Sequence, residues 1–102
     1  MVILAVETIT VTDELDTLPK LLRARCQHYG SKKAAMRKKR FGIWNEYTWK
    51  DAYEQARYFG LGMVSLGMQP GDRVSIIGDN EPQWYWASFG IQAMGGVTVA
   101  LF

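Results

Sequence analysis

Two side chains have the types that nucleophilic or zinc chemistry needs, Cys26 and His28, and each is the only one of its kind in the sequence. Residues two positions apart on a helix lie on different faces, so this pair cannot readily share a proton or a metal ion. A zinc site needs a larger set of ligands of these types, and no serine can be assigned to His28 to complete a Ser-His-Asp set. We therefore predict no catalytic residue and no metal ligand in this sequence.

Two glycine-containing segments are candidates for phosphate binding, and each lacks what that chemistry requires. Residues 62–67 have the glycine spacing of a phosphate-binding loop, but Met68 stands where lysine is required and the segment ends a predicted helix. Residues 78–81, a predicted strand-to-helix turn, supply a single glycine and two carboxylates, which repel phosphate. We therefore predict that the chain has no cofactor-binding residue of its own.

A basic segment is the most uneven feature of the charge distribution. The net charge is only +2, from 12 basic and 10 acidic residues, too little for a general nucleic-acid binder. Between Lys32 and Arg40, however, there are six basic residues and no acid. The first interpretation is a solvated hairpin tip. The alternative is contact with anionic lipid head groups, a phosphorylated cofactor or nucleic acid, and the nearby aromatic residues Phe41, Trp44 and Tyr47 favour it.

The composition is typical of one small folded domain. Of the 102 residues, 48% are hydrophobic and 13% aromatic, unlike a disordered chain. A single cysteine excludes an internal disulfide and fits a reducing compartment. Residues 1–6 are too short for the apolar region of a signal peptide, and no stretch approaches the roughly 20 apolar residues of a membrane span. We therefore expect a cytoplasmic protein.

The elements that could position these side chains begin with an arm and a helix. Residues 2–12 are rich in β-branched types and favour a strand or extended arm, so we treat residues 1–16 as a separate segment. Thr17 opens a helix that tolerates Pro19 in its first turn. Gly30 follows at the position of a left-handed C-terminal cap.

A hairpin and a second helix are predicted next. Residues 34–37 and 43–47 form its two strands, joined by a basic tip over residues 38–42. Thr48 and Asp51 approximate a capping box that starts the helix. Small residues recur on one face of that helix, which lets another backbone approach closely: Ala56 and Gly60.

The last third of the sequence predicts a βαβ unit. Its parts are a turn, a strand, a helix and a second strand, at residues 69–72, 73–77, 84–94 and 97–102. Asp79 or Asn80 is expected to cap the helix, with Pro82 in its first turn. Residues 84–94 are apolar nearly all round, which is typical of a helix covered on both sides. Because 102 residues offer little protein to cover it, we expect a partner or the rest of a larger protein to do so.

The order of these signals from residue 17 to 102 resembles the N-terminal region of the AMP-forming acyl-CoA synthetases, members of the adenylate-forming superfamily. The motifs are Thr-Leu-Pro-Lys-Leu-Leu at 17–22, Tyr-Thr-Trp at 47–49, Gly-Met-Gln-Pro-Gly-Asp-Arg-Val at 67–74, Asp-Asn at 79–80 before Trp84, and Phe-Gly-Ile-Gln-Ala-Met-Gly-Gly-Val at 89–97. From residue 17 to 102, the resemblance covers about five sixths of the 102 residues. Residues 97–102 resemble the long-chain fatty acid type more than the aryl or amino-acid activating relatives.

The resemblance implies an α/β fold in which an N-terminal helix and a β-hairpin precede a βαβ unit. Residues 17–102 would be an incomplete piece of a larger AMP-binding domain. The family is implied to use ATP, Mg²⁺ and coenzyme A to form an acyl-adenylate and then an acyl-CoA thioester. Its phosphate loop, nucleotide-binding acids and catalytic lysine correspond to positions beyond 102, so none of them can be carried over.

These implications lead to three expectations about function. The first is a scaffold piece of a fatty acyl-CoA ligase, inactive alone and completed by the remainder of the synthetase. The second is a non-catalytic interaction module that docks a partner through the aromatic helix at residues 84–94. The third is peripheral membrane contact through Lys32–Arg40, with no nucleic acid expected.

Overall fold

The computed structural model of the chain describes residues 12–101. Its elements follow in the order α1 (Leu18–Tyr29), β1 (Ala34–Arg40), β2 (Ile43–Thr48), α2 (Trp49–Ser65), β3 (Arg73–Ile77), α3 (Pro82–Ala93) and β4 (Val97–Leu101). β1 and β2 pair antiparallel, whereas β3 and β4 pair parallel with α3 as the crossover. The expected α/β class, with helix, hairpin and βαβ unit in that order, is confirmed.

The predicted N-terminal arm is described only in part. Residues 12–16 contain bends and neither helix nor strand. The remainder of the strand expected over residues 2–12 lies outside the described residues, as does residue 102 of the last predicted strand. The separate status of residues 1–16 therefore stays a prediction.

α1 begins at the expected cap. The Thr17 hydroxyl oxygen accepts from the Lys20 amide at 3.3 Å, and Pro19 occupies the first turn. Lys20 also lies 2.8 Å from Asp16, and this hydrogen bond and charge hold the pKa of Asp16 below its usual range. The small stabilisation from this exposed pair is therefore lost as pH falls through that pKa. Gly30 has the expected positive φ of 55°, but its ψ of −126° lies outside the left-handed helical region.

The hairpin is longer than predicted, and its turn contains no basic residue. β1 runs to Arg40, which pairs with Ile43, so the turn consists of Phe41 and Gly42 alone. Their φ values of 51° and 78° give a turn whose twist matches the two strands. The ladder therefore continues through residues 38–40, and the assignment of these charged residues to the loop is wrong.

α2 has the capping box that the sequence predicted. The Asp51 amide donates to the Thr48 hydroxyl at 3.1 Å, and the Thr48 amide donates to the Asp51 carboxylate at 2.9 Å. Gly67, at φ 103°, follows the end of the helix. Gly71, at φ 89°, has the positive value that the predicted type II turn over residues 69–72 requires at its third position.

The backbones of α2 and α3 touch where they cross. A Cβ atom added to Gly90 on α3 would lie 2.5 Å from the Ala56 carbonyl oxygen and 2.9 Å from the Gly60 amide nitrogen. A Cβ added to Gly60 would lie 2.8 Å from the Gly90 carbonyl oxygen. The prediction that Ala56 and Gly60 admit a second backbone is therefore confirmed, and the partner is Gly90.

The crossover helix is tied closely to the loop that follows it. Ile91 on α3 is fully buried, and a Cβ on Gly96 would lie 2.7 Å from its Cγ2 atom. Gly95, at φ 84°, accepts a hydrogen bond from the Gly71 amide at 2.8 Å. The turns that precede β3 and β4 are thereby joined, which sets the start of the parallel register.

This chain itself covers α3 more fully than the sequence predicts. The helix contacts α1, α2 and both strands of the parallel sheet. Trp86 is only 9% exposed, and its ring meets Tyr47 of the hairpin edge to face at 5.2 Å. The Thr98 hydroxyl donates to the Ser88 carbonyl, so the alternate residues of β4 face away from α3. This outer face of the sheet is an uncovered apolar surface, where Ile77 is 74% exposed.

Replacing Gly90 with alanine is expected to destabilise the fold by about 2 kcal/mol, because the new methyl group would collide with backbone atoms that cannot move independently. Gly62→Ala is the matched control, since Gly62 is also helical but a Cβ atom added there would meet no neighbouring element within 4 Å. That variant should gain about 0.5–1 kcal/mol from helix propensity. Urea unfolding followed by circular dichroism measures the unfolding free energy of both variants. Equal changes in the two variants would contradict the close crossing of α2 and α3.

Candidate functional site

The carboxyl end of β3 is the position where an α/β sheet would hold a ligand. An open cleft of about 490 Å³ lies there, lined by Ile77, Gly78, Asp79, Asn80, Trp84 and Tyr85. The Trp84 and Tyr85 rings meet edge to face, with centroids 5.3 Å apart. The site thus combines two aromatic rings with the polar turn that begins α3.

The helix cap at this turn differs from the prediction. Glu81 is the N-cap residue of α3, and its side chain makes no capping hydrogen bond. Neither Asp79 nor Asn80 caps the helix, and the side-chain carbonyl oxygen of Asn80 instead accepts a hydrogen bond from the Tyr85 hydroxyl. Pro82 does occupy the first turn, as expected.

The turn is poorly suited to bind a phosphate. Phosphate sites at helix N-termini depend on free backbone N–H groups that converge on the anion. Here Pro82 has no N–H group, and the Glu81 amide already donates to the Asp79 carbonyl at 2.8 Å. The Asp79 carboxylate adds negative charge at the same place. The residues of this turn therefore do not fit a nucleotide phosphate.

Glu81 instead joins the turn to the hairpin. Its Oε1 atom lies 3.0 Å from Lys38 Nζ, and both side chains are about two-thirds buried. The Oε2 atom of Glu81 is buried without a hydrogen-bond partner in the described part of the chain, and so is Trp86 Nε1. The ion pair thus uses one of the six clustered cations for a contact within the fold.

The other cations of the basic segment are in different environments. Arg37 lies 3.1 Å from Glu46 across the hairpin. Lys33 lies over the Tyr29 ring at 4.4 Å from its centroid, and Lys39 lies over the Trp44 ring at 5.8 Å. Arg37 and Lys38 are therefore paired with carboxylates, whereas Lys33 and Lys39 contact aromatic rings.

The remaining candidate residues have structural surroundings. Cys26 is partly buried on α1, and the His28 ring meets the Tyr29 ring edge to face at 4.6 Å. Gly62 lies inside α2, so residues 62–67 form no loop in which N–H groups could converge. Residues 12–101 contain no group of three acidic, histidine or cysteine side chains arranged to hold a metal ion.

A helix that crosses a bilayer must be both long and apolar. None of the helices between residues 12 and 101 meets both requirements.

Comparison with known proteins identifies relatives over most of the chain. The model of the AMP-binding enzyme family matches residues 22–102. The long-chain-fatty-acid–CoA ligase FadD15 of Mycobacterium bovis is 41% identical over 61 residues, which cover 60% of this chain and 10% of that protein. The long-chain-fatty-acid–CoA ligase ACSBG2 of Xenopus laevis is 29% identical over 86 residues, 84% of this chain and 12% of that protein.

Solved structures show the same fold. The fatty acid AMP ligase from Legionella pneumophila superposes with a TM-score of 0.73 at 21% identity, over 89% of this chain and 17% of that chain. The chain thus spans 10% and 12% of the length of the two curated relatives above. Its fold matches 17% of the solved ligase chain.

The Lys38–Glu81 contact predicts a measurable coupling between the hairpin and α3. A double-mutant cycle with Lys38→Met and Glu81→Gln should give a coupling free energy of about 0.5–1 kcal/mol between the two side chains. This coupling should decrease as salt is added. The exposed pair of Lys50 and Glu54, 3.9 Å apart, is the control and should couple more weakly. Equal coupling in the two pairs, measured by urea unfolding, would contradict a structural role for the Lys38–Glu81 contact.

Proposed function

The chain belongs to the AMP-binding enzyme family, and its curated relatives are acyl-CoA ligases; from this premise we propose that residues 17–102 are the N-terminal scaffold of a fatty acyl-CoA ligase. The observation that carries the proposal is the family match itself, which runs from α1 to the end of β4. It therefore covers the helix crossing, the hairpin and the βαβ unit as one continuous segment.

The proposed complete enzyme joins a fatty acid to coenzyme A at the expense of ATP. ATP activates the carboxylate as an acyl-adenylate with release of pyrophosphate, and the thiol of coenzyme A then displaces AMP. Phosphate neutralisation in such a reaction takes cations or convergent N–H groups. Since the turn at residues 78–81 offers carboxylates and a proline follows it, we assign no step of this chemistry to this chain.

The uncovered face of the parallel sheet supports the scaffold proposal. Parallel sheets are usually covered on both faces, because their crossover helices pack there. α3 covers one face of the sheet formed by β3 and β4. On the other face Ile77, Val97 and Leu101 are exposed. Further elements of an AMP-binding domain would cover this face and extend the sheet.

We predict that the 102-residue chain binds neither ATP nor AMP measurably and forms no acyl-CoA. The reason is electrostatic and geometric, since the turn at residues 78–81 presents the Asp79 carboxylate, the Glu81 amide is already bonded, and Pro82 has no N–H group. Calorimetric titration with Mg-ATP at about 0.1 mM protein detects binding with a dissociation constant as weak as about 1 mM. A thioester assay with palmitate and coenzyme A tests the reaction.

A complete long-chain fatty acid–CoA ligase, treated in parallel, is the positive control for both measurements. A saturable one-to-one heat with this chain would overturn the prediction and assign the cleft beside Trp84 as a nucleotide site. Asp79→Lys tests the same cleft in both cases, because it replaces a carboxylate of the turn by a cation. If the cleft binds nucleotide, the variant should bind it more tightly than the unchanged chain. If the prediction holds, neither protein should give a saturable heat.

A second candidate function is an interaction module that docks a partner through the aromatic helix. Trp84 and Tyr85 favour it, because they line an open cleft while Trp86 and Ile91 are covered by this chain. This proposal differs from the scaffold proposal in the surface that a second protein would cover. Ile77 borders both surfaces, but the module uses Trp84 and Tyr85 of the cleft, whereas the scaffold uses Val97 and Leu101 of the outer sheet face.

Dye binding and light scattering distinguish these surfaces. We expect the purified chain to bind a hydrophobic dye and to self-associate, because apolar sheet surface is exposed. Val97→Lys should reduce both signals more than Tyr85→Lys, since Val97 lies on the outer sheet face. The reverse order would favour the helix module, and a monodisperse monomer that binds no dye would contradict both proposals.

A further inference from the structure

The outer end of the hairpin exposes three large apolar side chains. Phe41 is 95% exposed, Ile43 67% and Trp44 62%. Nearer the helices, Met36 and Tyr47 of the same two strands pack against the hydrophobic core. The end of the hairpin therefore extends beyond the part of the strands that the core supports, and its apolar side chains face solvent.

The turn residue Phe41 is not explained by backbone geometry. Its φ of 51° makes it the only described residue other than glycine with a positive φ. Asparagine, aspartate or glycine is preferred at this position of the turn, because a larger side chain is strained there. A phenylalanine that is both strained and exposed contributes nothing evident to folding. Its presence in the turn therefore indicates a role at the surface.

The cations beside this apolar tip are not neutralised. Among the described residues, Lys39 and Arg40 form no ion pair with a carboxylate, whereas Arg37 pairs with Glu46 and Lys38 with Glu81. Lys39 pairs with Trp44 in the strand register, and Arg40 pairs with Ile43. Because successive pairs face opposite sides of the hairpin, one free cation lies on each face just behind the tip.

We propose that residues 39–44 form a membrane-docking tip for a bilayer that contains anionic phospholipids. Phe41, Ile43 and Trp44 enter the boundary between head groups and acyl chains, a position that suits aromatic side chains. Lys39 and Arg40 meet the phosphates, where a basic residue contributes about 1 kcal/mol. This surface is separate from the cleft at the start of α3, so it does not depend on the proposed ligase function.

Charge and shape favour a bilayer over a nucleic acid as the occupant. Two free cations on opposite faces cannot follow a phosphate backbone, which requires a row of positive charges along one surface. An apolar apex with cations behind it instead matches the order of layers in a membrane, where acyl chains lie beneath charged head groups.

Vesicle sedimentation tests the tip. The 102-residue chain should bind vesicles of phosphatidylcholine with about 30% phosphatidylglycerol and bind pure phosphatidylcholine much more weakly. Phe41→Asn should lower the partition coefficient about fivefold or more, because an apolar side chain no longer enters the interface. Its thermal midpoint should be unchanged or higher, because asparagine suits the turn. Joint replacement of Lys39 and Arg40 by serine should remove the preference for anionic lipid and the salt dependence.

Leu66→Ser is the matched control. Leu66 is as exposed as the tip residues but lies at the end of α2, outside the hairpin. It should leave vesicle binding unchanged. The proposal is overturned if Leu66→Ser lowers binding as much as Phe41→Asn does, or if both vesicle types bind equally. It is also overturned if a single-stranded oligonucleotide, but not the anionic vesicle, binds in a manner sensitive to Lys39 and Arg40.

Discussion

Direct contact between the backbones of α2 and α3 determines where the rest of this structure lies. At the crossing, Gly90 meets Ala56 and Gly60 at distances that leave no room for a Cβ atom. Such a contact fixes the separation of two helices more tightly than larger side chains do, because there is no flexible atom to adjust. With α3 held against α2, the hairpin meets one side of α3 through Trp86, and the parallel sheet meets another through Thr98.

This arrangement gives a small core and an asymmetric sheet. Ile91 is the largest side chain that is fully buried in the described part of the chain. The helices shield only one face of the parallel pair, while the Ile77 side of the sheet has no cover among residues 12–101. A two-stranded sheet with one bare face has less buried surface than an independent domain usually needs. The same asymmetry is one of the observations that support the proposed scaffold role.

Local signals predicted most elements, and nonlocal contacts decided the exceptions. The capping box at Thr48 and Asp51 was predictable because both partners lie within one helical turn. The hairpin turn was missed, because phenylalanine at position 41 is not a recognised signal for a positive φ. The α3 cap was misassigned, because Asn80 bonds to Tyr85 rather than to the backbone. Likewise, the small residues on α2 predicted a close approach of another backbone. Gly90 could not be identified as the partner, because α3 is apolar on nearly all sides and its contact face is not evident from the sequence.

The start of α3 explains how a strand–turn–helix unit can serve structure instead of phosphate binding. A helix N-terminus attracts negative charge, and here that charge is the carboxylate of Glu81. Lys38 neutralises this carboxylate from the hairpin, so the attraction joins two parts of the chain and is not available to a ligand. Pro82 removes an N–H group that an anion would need. The start of α3 therefore makes an internal contact that links the βαβ unit to the hairpin.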